Sequence, residues 1–208
     1  MLTARFYGAA LRPPAPLPPG QLRHPAQDHP AWAALRQWCL AGSGPGTRPF
    51  WSPAAAPAIE QRCTVAVLAG GEPEAATALA HALCLERDGS LQLQACRSAG
   101  ARLRLRLAAK LHDTLWWRER QPADAWDSGT IIATPQGLQA LARFTPRRAT
   151  LLVADDLPAG ALLTVMADLH ARQSQLAQPL RLLVLKPSGL PERLPMPVTT
   201  IWLGQQAA

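Results

Sequence analysis

A chain of 208 residues can bury one sizeable core and is too short for two domains of ordinary size, which run to about 100–200 residues each. Hydrophobic residues at 48% and charged residues at 17% exclude a disordered chain, and no apolar run approaches the roughly 20 residues that cross a bilayer. The net charge of +7 permits contact with nucleic acid or acidic lipid but says nothing about fold.

The opening MLTARFYGAALRPPAP has neither a hydrophobic leader segment nor a cleavage site, so a cytoplasmic location is expected. Residues 1–30 form a Pro-rich arm. Between Leu11 and Pro30 the repeated prolines remove backbone donors and hold their neighbours extended, which disfavours a helix or a central strand. Residues 31–62 are expected to hold a helix and a Gly/Pro-rich connector. The helix begins near Asp28 or His29 with Pro30 in its first turn. Trp32, Leu35, Trp38 and Cys39 share one apolar face, which makes Trp32 and Trp38 candidate interaction residues.

Residues 63–208 read as an α/β domain. CTVAVLAG from Cys63 is a strand stopped by Gly70-Gly71, and Pro73 to Arg87 is a helix with Ala76, Leu79, Ala80, Leu83 and Cys84 inward. Further strands are expected at 91–96, 130–133, 149–155, 180–186 and 198–203, with helices from Pro135 to Phe144 and from Pro158 to Leu176. Apolar strands without alternation, separated by helices, indicate a three-layer fold: a mostly parallel sheet covered by helices on both faces.

Residues 97–120 are strongly basic, with Arg97, Arg102, Arg104, Arg106, Lys110, Arg118 and Arg120 against Asp113 and Glu119. RLRLRL alternates as an edge strand hairpinned to 91–96 would, while Leu103, Leu107, Leu111 and Leu115 recur at helical spacing, and we favour a helix over 101–120. With Trp116 and Trp117 adjacent, Arg102, Arg104 and Arg106 could grip a phosphate backbone or serve as a protein-docking face. Cys39, Cys63, Cys84 and Cys96 and the five histidines show no metal-ligand spacing, and no G-x-S-x-G elbow is present.

Gly70-Gly71-Glu72-Pro73-Glu74-Ala75-Ala76-Thr77 lies between strand and helix where a phosphate-binding loop reads G-x-x-x-x-G-K-[ST]; Gly70 and Thr77 match, while Ala75 replaces the second glycine and Ala76 the lysine. Leu151-Leu152-Val153-Ala154-Asp155-Asp156 is an apolar strand ending in two acids. Together these segments resemble the core of P-loop ATPases, particularly the signal-transducing AAA-related group. The resemblance implies a P-loop-like fold and, were nucleotide held, Mg-ATP or Mg-GTP at Gly70, Gly71, Thr77, Asp155 and Asp156. In those ATPases a polar residue after the following strand senses the γ-phosphate, a position that falls on Lys186 or Ser188 here.

Because the lysine that neutralises phosphate is absent and Glu72 and Glu74 would repel it, the expectation is a protein without catalytic residues and with no cofactor. It would be an adaptor or regulatory subunit on a degenerate P-loop-like scaffold, acting through protein contacts as a hetero- or homo-oligomer. A weak ATP- or GTP-dependent regulator is the alternative, and a nucleic-acid-associated protein using residues 97–120 is a third reading.

Overall fold

The computed structural model describes residues 9–18, 21, 23–41, 62–96, 98–114, 125–186 and 194–204. Six strands, β1 (Leu11–Arg12), β2 (Cys63–Ala69), β3 (Asp127–Ile131), β4 (Thr150–Ala154), β5 (Leu180–Val184) and β6 (Val198–Trp202), form one sheet in the order β1-β3-β4-β5-β2-β6. All neighbours are parallel except β1, which runs antiparallel along β3 with Leu11 opposite Ile131.

Side chains alternate across the sheet and feed two apolar cores. Val65 and Val67 of β2 and Leu152 of β4 join Leu162, Val165, Met166 and Leu169 of helix α6 (Ala159–Arg172) and Leu141 of α5 (Pro135–Ala142). On the opposite face Ala66 and Leu68, with Leu151 and Val153, meet Leu79 and Leu83 of α2 (Pro73–Arg87) and Leu35, Trp38 and Cys39 of α1 (Trp32–Leu40). The five inward residues expected on α2 are all buried, and its bounds agree with those read from the sequence.

Several elements differ from expectation. Residues 91–96 are not a strand: Ser90–Ala95 form a short helix, α3, entered through Gly89 at φ 76°. Asp88 accepts the Ser90 N–H at 2.7 Å and turns the chain. Neither β2, flanked by β5 and β6, nor β3, whose outer edge is taken by β1, has an edge free for such a strand. That edge strand comes from the Pro-rich arm, which also forms a 3-10 turn over Pro25–Asp28. Pro13 and Pro14 follow β1 directly, in keeping with the confinement of proline to sheet edges. β3 starts three residues before the expected strand at 130, at Asp127. Gly129 lets the Arg12 carbonyl come within 2.8 Å of where a Cβ would stand.

Helix α4 runs over Ala99–Thr114, excluding the hairpin alternative for 102–107; the remainder of the expected 101–120 helix lies outside the described residues. Helix α1 begins at Trp32, after the 3-10 turn rather than at Pro30. Helix α6 ends at Arg172, and the rest of the expected helix up to Leu176 is a 3-10 turn over Gln173–Gln175. No helix among the described residues is long and apolar enough to cross a membrane.

Three arginines hold helix ends. Arg181, fully buried within β5, donates to the carbonyls of Cys39 and Ala41 at the end of α1. Arg172 reaches the Leu141 and Phe144 carbonyls after α5, and Arg62 those of Ser174 and Leu176 after α6. Each places a cation where a helix leaves carbonyls unpaired and partly negative.

Candidate functional site

The carboxyl ends of parallel strands are where α/β sheets open a ligand crevice. Here that edge is formed by β2, β4 and β5, with β5 standing between the strand that leads into Gly70-Gly71 and the strand that leads into Asp155-Asp156. A cavity of about 600 Å³ lies there between α2 and the strand ends; Thr77 and His81 of α2, Asp155, Lys186 and Arg12 contribute its polar lining, and Pro13, Pro14 and Ala15 of the arm close one side.

The loop after β2 is short. Only Gly70, Gly71 and Glu72 separate Ala69 from Pro73, and both glycines have left-handed backbone, at φ 71° and 72°. A Cβ on Gly71 would stand 2.8 Å from the Leu203 Cβ, so the turn is pressed against the chain leaving β6. Pro73 then starts the helix well before the position where a phosphate loop would still be irregular.

Early helix entry decides what the matched residues do. The Ala75 and Ala76 N–H groups already donate to the Glu72 carbonyl, at 3.0 and 3.3 Å, and are not turned to a ligand. Ala76, at the lysine position, is 5% exposed and packs in the core with Leu79. The Thr77 hydroxyl donates to the Pro73 carbonyl at 3.1 Å, although its side chain lines the cavity.

Across the cavity Lys186 Nζ lies 3.4 Å from Asp155 Oδ1, so the first acid after β4 is paired by the residue after β5. Asp156 and Lys186 both have positive φ, 57° and 53°, and Asp156 is exposed. Ser188 lies outside the described residues. Arg87, a conceivable substitute for the missing cation, sits at the far end of α2, buried and paired with Glu86. The residues present therefore do not fit Mg-ATP or Mg-GTP: the loop amides are engaged, the lysine position is core, and Lys186 is paired with the acid that would hold Mg²⁺.

The structure thus brings Thr77 and Asp155 to one cavity while turning Gly70 and Gly71 toward β6. Of the candidate interaction residues, Trp38 is buried in the chain's own core and Trp32 is partly buried, so α1 is packed on the domain. Arg102 and Arg104 are exposed on α4; Arg106 lies on the same helix, and Trp116 and Trp117 fall outside the described residues. Unforeseen from the sequence is the pair His24 and His81, which ties the arm to α2: His81 Nε2 lies 2.7 Å from the Ala15 carbonyl and its Nδ1 3.2 Å from His24 Nε2. No family model, no curated protein and no solved structure matches this chain.

Proposed function

We propose that the chain is a non-catalytic adaptor or regulatory subunit built on a degenerate P-loop-like scaffold and acting through protein contacts. The observation that carries this reading is Ala76: the lysine position of the loop has become part of the hydrophobic core. The strand order supports the resemblance, since a sensing residue after β5 reaches the same ligand as the loop after β2 and the acid after β4 only if β5 stands between them. A scaffold that keeps this order while its loop amides, lysine position and acid are all otherwise engaged retains shape rather than chemistry.

Trp202 supports the contact half of the reading. It is 58% exposed on β6, beside the Gly70 turn, where a Cβ on Gly70 would lie 3.3 Å from its ring. An exposed tryptophan at the edge that ancestrally faced ligand is a natural anchor for a protein partner.

Thermal unfolding with and without millimolar MgATP or MgGTP tests the proposal, alongside the size of the protein purified from its native host before and after Trp202→Ala. No nucleotide shift, with a stoichiometric protein companion lost on Trp202→Ala, is the expected result. A nucleotide-dependent rise in Tm that Asp155→Ala abolishes would overturn it and restore the reading of an ATP- or GTP-dependent regulator.

A further inference from the structure

Helix α4 has a different character from the rest of the molecule. Every residue from Ala99 to Arg104 is exposed, Leu103 is 59% exposed and Leu107 50%, and only Leu105 among the described side chains is partly covered. Apart from Trp202, these two are the large apolar side chains left exposed among the described residues. They are four positions apart and so lie one above the other on one face of the helix. Helical spacing places Arg104 on one flank of this pair and Arg102 on the other. Arg102 is exposed as well, with its Nε donating to the Cys96 carbonyl at 3.1 Å, which fixes the start of the helix to the body.

We infer that α4 is a surface-binding helix whose partner is an anionic lipid surface, lying flat with Leu103 and Leu107 toward the acyl boundary and the flanking cations at the headgroups. The inference goes beyond the adaptor reading and does not depend on it. A planar anionic surface satisfies an apolar row with positive charge on both sides, because long basic side chains carry their charge outward while their stems cover apolar area. Duplex nucleic acid would use the cations and leave the leucines in water. A second copy of α4 would set like charges against one another.

The test is co-sedimentation of the full chain with phosphatidylcholine vesicles, with and without phosphatidylserine, at low and physiological salt, beside binding to a labelled duplex oligonucleotide. Wild type should bind only the vesicles that contain phosphatidylserine, and salt should weaken that binding. Replacing Arg102 and Arg104 together by Gln should weaken it on the order of 25-fold, since each cation near such a surface contributes a factor of about five. The double variant Leu103→Ser, Leu107→Ser should lose binding at unchanged charge. Because the targeted positions lie on an exposed helix, the variants should melt within a degree or so of wild type, which separates lost binding from lost folding. Absence of binding by wild type, or binding that survives the leucine substitutions, would overturn the inference; oligonucleotide binding that ignores the leucines would identify the helix as a polyanion contact instead.

Discussion

His24 and His81 share a hydrogen bond whose direction is set by what lies at either end. The Ala26 N–H donates to His24 Nδ1 at 3.2 Å, so His24 carries its proton on Nε2 and donates it to His81 Nδ1, 3.2 Å away. His81 is then left with its proton on Nε2, which it donates to the Ala15 carbonyl at 2.7 Å. The chain of bonds runs one way from Ala26 to Ala15 and is complete only when both rings are neutral. Two segments of the arm are thereby fastened to the middle of α2 across the open cavity.

A proton added at His24 Nδ1 would set donor against donor with the Ala26 N–H, so acid should loosen the arm. Burial, and next the neighbouring His81, hold the His24 pKa below its ordinary value of 6.5. The native state therefore binds this proton less readily than the unfolded chain. The contribution to stability is whole above pH 6.5 and is lost as pH falls from there through the lower folded-state value. Limited proteolysis of the arm should be several-fold faster at pH 5.5 than at pH 7.5, and His81→Phe should abolish most of that difference; equal rates in wild type would refute the latch.

Replacing Arg181 removes the donors that hold the end of α1. Arg181→Met fits the apolar strand yet leaves the Cys39 and Ala41 carbonyls without this partner, and should cost about 1–3 kcal/mol by urea unfolding.

Two glycines should respond oppositely to alanine. Gly71→Ala adds a Cβ 2.8 Å from that of Leu203 at a backbone φ of +72° and should destabilise by about 1–3 kcal/mol. Gly100→Ala, on α4 with nothing within 4 Å, should be neutral or stabilise by up to about 1 kcal/mol. Thermal melts of the pair distinguish a constrained turn from a generally fragile fold.

The thiols should separate into two classes. Burial pushes Cys39 and Cys63 up to about 11 and Cys84 further in the same direction, so all three stay protonated and shielded. Cys96 is partly exposed, and all four cysteines are free. Titration with a disulfide reagent at pH 8 should show one fast thiol in the native protein and the other three only on unfolding.

The parts of the fold legible in the sequence are those fixed by local pattern. Pro73 and the repeat of Ala76, Leu79, Ala80 and Leu83 mark α2 closely, and the apolar runs of β4 and β5 appear where they were expected. The segment at 91–96 was not legible, because two leucines alternating with glutamine suit a strand and a short helix equally. Arg181 reads as an interruption in an apolar strand until its acceptor, 142 positions earlier, is known. In the candidate site Asp155 and Thr77 could be anticipated from the strand–loop–helix order, whereas Arg12, His24 and His81 meet there only because the arm folds back.

The placement of β2 between β5 and β6 governs the order in which the molecule can be assembled. The first long strand to leave the ribosome finds neither neighbour until residues 180–184 and 198–202 have been made, well over a hundred residues later. Until then Ala66, Leu68 and their companions lie on a strand that lacks both of its sheet neighbours, and a chain that stops short of residue 180 leaves unpaired a strand that belongs inside the sheet. Closure of this sheet is therefore a late event dominated by distant pairings, the class of topology that folds slowly and is most exposed to aggregation on the way.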